Sequence, residues 1–257
     1  MKLFRIVLIN IVVLCLAILT EASGTPADRS FLAPDEAGKA RPAPKVVTPY
    51  TSFNFGDVYT GEVISQLFVV KNVGDADLQI TEFKGDCGCT VVHAEKVIAP
   101  GHETVVEIEV QTVSQSGIIN KMATMRTNDP DQPAILFSLV ANVLKGAPLR
   151  QGKYIGPIFL SPDSRGSMFS MPGKKTTSEF SITSEQAQLK VLRVEVGTRN
   201  FTARVVEVEP GRSYKIQVDN LPIEKGGMYT DQITVVTDHP ALPPFKIDLS
   251  LRVYEVQ

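Results

Sequence analysis

The sequence predicts an all-β protein, two tandem immunoglobulin-like β-sandwich domains following a signal peptide and a flexible tether. Three observations predict it. Beyond residue 48 the apolar residues fall in short alternating or β-branched runs, LFVVKN (67–72), LQITEF (78–83), TVVEIEV (104–110), MATMRT (122–127) and ILFSLVANV (135–143). Turn residues bound them: Gly74-Asp75, Pro100-Gly101 and Asp129-Pro130. Runs of this length and spacing argue for a sandwich. No window of 12 or more residues beyond the N-terminal segment keeps a helical apolar period, so helix should be scarce. Finally, the chain resembles itself when shifted by 110 residues.

At the N-terminus, Lys2 and Arg5 precede an apolar run from Ile6 to Leu19, the anatomy of a secretory signal peptide. Thr20 and Ala22 suit a cut after Ala22, giving a signal peptide at 1–22. Cys15 follows Leu14 inside the apolar run, which does not fit a lipoprotein signal. The run is also shorter than the roughly 20 residues that span a bilayer. Membrane contact is therefore expected only through this segment, should it stay uncleaved. Removing Lys2, Arg5 and Glu21 with it leaves 24 basic and 27 acidic side chains, a net charge of −3. No basic stripe offers itself to phosphates, so nucleic acid is not an expected partner.

Residues 23–47 hold four prolines, two glycines and five alanines without apolar period, the composition of a flexible linker. What remains suffices for two domains of about 100 residues, read as 48–144 and 147–257 from the repeat. Under the shift Pro100-Gly101 falls on Pro210-Gly211, Gly117 on Gly227, Thr127 on Thr237, Pro130 on Pro240 and Leu139 on Leu249. These residues fix backbone shape or fill a core, so a duplicated unit explains their shared register. Further upstream the copies drift by one or two residues.

The first unit alone carries GDCGCT (85–90); at the same offset Cys87, Gly88 and Cys89 meet Gly197, Thr198 and Arg199. A sandwich of this type therefore does not require the pair. Export would let a disulfide persist. In a regular strand residues i and i+2 lie about 6.6 Å apart, too far for a disulfide's Cβ spacing of about 3.5–4.5 Å. A bond between Cys87 and Cys89 thus needs a tight turn at Gly88, and exposed strained disulfides tend to be labile. In an extended strand, Cys87, Cys89 and His93 would share one face and form a candidate metal set, copper or zinc, with no fourth ligand evident for zinc. Structural, redox and metal roles all remain open. Asn128, Asp129 and Asp131 in TNDPDQ are read as turn chemistry, and His102 and His239 as loop residues. There is no Gly-x-Ser-x-Gly, no His-Glu-x-x-His and no Gly-rich phosphate loop, so no catalytic residues or cofactor are assigned and the protein is not expected to be an enzyme.

FNFGDVYTGE (53–62), FVVKNVGDADLQI (68–80), GDCGCT (85–90), APG (99–101) and TNDP (127–130) together resemble the bacterial domain-of-unknown-function family 1573. The resemblance covers residues 48–144 and implies an immunoglobulin-like sandwich, similar to major-sperm-protein and ciliary ASH modules, in an exported protein. The second unit departs from the pattern at the cysteine stretch. The expected role is a non-enzymatic interaction or scaffold module of the bacterial cell envelope, periplasmic or secreted, with a protein partner. The alternative is a thiol-redox or copper-binding protein acting through Cys87 and Cys89.

Overall fold

The computed structural model describes residues 41–87, 90–146, 151–162 and 165–254. The signal peptide, residues 23–40 of the tether, and Gly88 and Cys89 lie outside the described residues. Every described element is a strand, as alternating patterns with Gly and Pro between them require.

In the first lobe the strands are β1 (Val46–Val47), β2 (Ser52–Tyr59), β3 (Val63–Asn72), β4 (Leu78–Gly85), β5 (Thr90–His93), β6 (Val97–Ile98), β7 (Glu103–Gln111), β8 (Gly117–Thr127) and β9 (Ala134–Leu144). One layer runs β2-β9-β8-β4-β6 and the other holds β3, β7 and β5, with β1 on β3. A short hairpin follows, β10 (Lys153–Ile155) and β11 (Ile158–Ser161). The second lobe comprises β12 (Arg165–Ser170), β13 (Thr177–Ser184), β14 (Val191–Val196), β15 (Phe201–Glu209), β16 (Ser213–Asn220), β17 (Gly227–Thr237) and β18 (Phe245–Val253). Its layers are β12-β18-β17-β14 and β15-β16-β13-β11.

The internal repeat is visible strand by strand. Each lobe has near its start a strand parallel to its last, β2 on β9 and β12 on β18. β8 and β17 start and end 110 residues apart. The turns before β7 and β16 both place glycine at positive φ, Gly101 at 76° and Gly211 at 68°, where other side chains are strained. Phe68 and Phe180 are both fully buried at matching places in β3 and β13. Phe68 packs on Phe137 at 4.8 Å between ring centroids. Above Phe180 the chain passes so closely that a Cβ on Gly166 would meet the ring at 2.3 Å.

The two sandwiches share one sheet. β10 pairs parallel with β3, Lys153 on Val63 through Ile155 on Ser65, and antiparallel with β11. The layers thereby merge into a nine-stranded sheet. Side chains cross the joint both ways: Leu67 belongs to the second core, and Tyr154 and Phe159 to the first. Lys153 Nζ, little exposed, lies 3.3 Å from Glu107 and 3.6 Å from Glu109 on β7. Gln66, fully buried, donates to the carbonyls of Leu67 and Ala241, 2.8 and 3.1 Å, tying β3 to a loop of the second lobe.

The end of the stretch read as a tether is held on the first lobe. Ala43, Lys45 and Val46 donate backbone N–H groups to Asp75 Oδ1, Asn72 Oδ1 and Asp129 Oδ2. Asp129 is buried and also accepts from the N–H groups of Asp131 and Gln132, the turn chemistry its sequence suggests. Burial pushes its carboxyl up, but the three backbone donors, with Lys45 nearby, outweigh this and hold it below the usual range.

Two outcomes are expected. Because the lobes share a sheet and exchange core side chains, calorimetry should give one unfolding transition; two separated endotherms would show independent lobes. Asp129→Ala should cost about 2–3 kcal/mol. Since the folded pKa is depressed, that difference is fully present above the unfolded value and is lost as pH falls through the folded one. Urea titrations of both proteins between about pH 2 and 7 test this; a wild-type advantage growing in acid would refute it.

Candidate functional site

The corner between β4 and β5 carries the cysteine stretch. Gly85 ends β4 in a place where a Cβ would strike Thr90 Cβ at 2.6 Å, so the chain folds back tightly onto β5. Thr90 N–H donates to the Cys87 carbonyl at 3.1 Å. Cys87 is half-buried and disulfide-bonded. Its Sγ lies 3.3 Å from Thr90 Oγ1. The chain's other cysteines, Cys15 and Cys89, are outside the described residues. Asp86 clamps the corner to β8: its N–H donates to the Met122 carbonyl at 2.9 Å, and its Oδ2 accepts from Met122 N–H at 3.2 Å.

The second lobe builds the same corner with other chemistry. Strand pairing sets Gly85 on Ala123 and Val196 on Ile233, and the N–H groups of Asp86 and Gly197 bond to the carbonyls of Met122 and Gln232. Cys87 therefore corresponds to Thr198, one residue on from the constant offset. The irregularities within β4 and β14 fall at equivalent places, facing Thr127 and Thr237, and the extra residue of the first lobe lies between β5 and β7. Asp231 of β17 reaches the second corner. Its Oδ1 accepts from Gly197 and Gln232 N–H at 3.0 and 2.7 Å, and its Oδ2 from the N–H and hydroxyl of Thr198, both at 2.9 Å. The residue at that place on β8 is Lys121, half-buried.

The three histidines occupy separate places. His93 is exposed on edge strand β5, paired with Glu107. His102 is exposed, its Nδ1 3.0 Å from the Pro100 carbonyl. His239 Nδ1 accepts Ala241 N–H at 3.2 Å, as Asp129 Oδ1 accepts Asp131 N–H in the first lobe. Among the described residues no group of three or more His, Cys, Asp or Glu side chains could hold a metal. A sulfur in a disulfide is also not the thiolate that copper or zinc binds.

A second surface escaped sequence reading. On the outer face of β12, β18 and β17, pairing aligns Ser167, Ser250 and Thr230 in one row and Phe169, Arg252 and Met228 in the next. The hydroxyl row floors a groove of about 640 Å³. Phe169 and Met228 are 58% and 62% exposed, and Phe169 stacks on Tyr254 with centroids 6.3 Å apart. The strand runs alone could not align the rows, because the parallel pairing of β12 with β18 joins residues far apart in the chain. Asp231 did carry a signal: it shares strand parity with Ile233 and Val235, which marks a buried polar position.

The family model for a protein of unknown function (DUF1573) matches residues 47–143. The match is the first lobe. The matched range agrees with the resemblance read from the sequence, and the family's function is unknown. No curated protein is similar to the chain. Among solved structures, the Ig1-2 module of the Drosophila receptor protein tyrosine phosphatase DLAR is 12% identical, covering 83% of this chain and 100% of that one at a TM-score of 0.37. A Porphyromonas gingivalis W83 protein of unknown function is also 12% identical, covering 81% and 99% at 0.33. The ASH/PapD-like domain of human CEP192 is 12% identical, covering 45% and 99% at 0.36. None is near enough to carry an argument about function.

Asp231→Ala should cost about 2 kcal/mol, because charge-assisted bonds from three backbone N–H groups and a hydroxyl are lost together. Asp86→Ala, at an exposed site, should cost about 1 kcal/mol or less. Chemical denaturation measures both, and the reverse ranking would contradict the roles assigned to these carboxylates.

Proposed function

We propose that the protein is an exported interaction module of the bacterial cell envelope that docks a protein partner on the outer face of its second lobe. The row of Phe169, Arg252 and Met228, extended by Tyr254 and Met171, carries this reading. Phe169, Met171, Met228 and Tyr254 are each about half exposed or more. An outer sheet face normally presents polar side chains to water, as the neighbouring row of Ser167, Ser250 and Thr230 does. Clustered exposed apolar groups with a polar surround mark interaction sites. Aromatic residues, Met and Arg are also the types enriched where proteins meet. The face is built on the paired strands β12, β18 and β17 of the four-stranded sheet, an ordered support that lowers the cost of association. The fitting partner has an apolar surface with an acidic group opposite Arg252. Export rests on the N-terminal charged and apolar pattern.

Photo-crosslinking residues placed at positions 169 and 254, with position 215 on the opposite layer as control, test the reading in intact cells. A discrete protein adduct at 169 and 254 and none at 215 is expected. Equal labelling at all three, or none, would overturn it. The exposed double variant Phe169→Ser with Tyr254→Ser should retain stability within about 1 kcal/mol, so lost adducts would report lost docking.

A further inference from the structure

We propose that the partner engages the second lobe by strand addition: an extended, uncharged segment of it pairs with the free edge of β12, beside Phe169. This deepens the docking reading and rests on it.

An open sheet edge invites pairing with another chain, and proteins defend such edges with short strands, irregularities, charges or covers. Among the described residues every other outermost strand has such a defence. β1, β5 and β6 are two, four and two residues long. β2 breaks register between Asn54 and Asp57, and Gln186 of the second lobe donates through Nε2 to the Phe55 carbonyl at 2.6 Å. At β14 the register shifts between Val191 and Arg193, and Arg193 forms an exposed ion pair with Glu195 at 2.7 Å. β15 presents Arg204, Glu207 and Glu209, and its register shifts between the last two.

β12 has none of these. Its six residues pair with β18 in unbroken register, from Arg165 on Asp248 to Ser170 on Val253. From Gly166 to Ser170 no residue is charged. Among the described residues no second strand pairs with it.

The unpaired groups follow from one hydrogen bond. Ser170 gives its carbonyl to Tyr254 N–H at 3.1 Å, and backbone groups alternate sides along a strand. Gly166, Met168 and Ser170 therefore face β18, while the N–H and C=O of Ser167 and Phe169 face outward. The same two residues expose their side chains on the docking face. A strand lying about 4.8 Å beyond them would take both pairs of backbone bonds and set alternate side chains beside Ser167 and Phe169. In this mode of recognition the main chain supplies affinity and the side chains selectivity. An uncharged edge offers no counter-ion, so the fitting segment is neutral, with an apolar residue against the Phe169 ring. Arg252 lies one strand further in, and the acidic group that meets it comes from another part of the partner.

Two experiments on the full chain test this. In the purified protein, the amides of Ser167 and Phe169 should exchange hydrogen about tenfold or more faster than those of Met168 and Ser170; equal protection would overturn the proposal, because the edge would already be covered. In cells, Ser167→Pro is added to the chain carrying the photo-crosslinker at position 254. The proline ring replaces an outward N–H and leaves the β18 ladder intact. The partner adduct should fall about tenfold, with the urea midpoint within about 0.5 M of the parent. If the midpoint falls further, Ser167→Asp, which keeps the N–H but charges the edge, takes its place with the same loss expected. An adduct unchanged by the substitution would overturn strand addition and leave docking on the face standing. No adduct in the parent would overturn both. An adduct of twice the chain's mass would show a second copy on the edge and overturn the assignment to a partner.

Discussion

The parallel pairing of Lys153–Ile155 with Val63–Ser65 is the constraint on which the rest of the structure depends. Three residues of backbone join two sandwiches that each have a core of their own. Parallel pairing needs a crossover connection; here β4 to β9 and the segment before β10 provide it. Once the backbones are joined, neighbouring groups have fixed partners. Lys153 sits between Glu107 and Glu109, and Ser65 Oγ donates to Glu107 Oε1 at 2.5 Å. Such a partly buried ion pair contributes little net stability of its own. Its effect is on register, because a shift by one residue would send Lys153 to the other face of the sheet.

Duplication supplies two solutions to each local problem. At the turn before the last strand of each lobe, Asn128 and Asp238 both accept a backbone N–H from the strand beside them, Gln79 at 2.8 Å and Lys190 at 2.7 Å. One residue on, a carboxylate in Asp129 and an imidazole in His239 accept the same backbone donor. The geometry requires an acceptor two atoms beyond Cβ, and either side chain supplies one. At the β4–β5 corner and its counterpart the clamping carboxylate comes from opposite sides, Asp86 of the corner itself in the first lobe and Asp231 of β17 in the second.

Fold class, strand positions and the repeat were legible because each depends on local pattern: alternation, Pro-Gly turns and a shared spacing. Thr127 and Thr237, and Gly101 and Gly211, fell on one another by sequence alone. The joint was not legible. KYIGPIFLS reads as a short apolar stretch, and nothing local tells Lys153 that its partner is Val63, some ninety residues earlier. The docking face was hidden for the same reason, since Phe169, Arg252 and Met228 meet only through pairing across the sheet. The cysteines were singled out correctly as the feature peculiar to the first unit. Constant spacing misassigned their counterpart by one residue, because the stretch from His93 to its partner Glu107 is one residue longer than that from Arg204 to Gln217.

The corner and the joint lie on a single row of the shared sheet. Tyr154 pairs with Ile64, Ile64 with Val110, and Val110 with Thr90. Cys87 therefore hangs from the same hydrogen-bonded line that carries the linker between the lobes, and not from a loop tip remote from it. The next residues of β5 reinforce the connection: Val91 pairs with Glu109 and His93 with Glu107, the two residues whose carboxylates hold Lys153. Asp86 is clamped to β8 and β5 is paired with β7, so Cys87 is carried on backbone held by both layers of the first sandwich. The second lobe's outer face lies on the four-stranded sheet, so the joint reaches it through the core packed between that lobe's two layers.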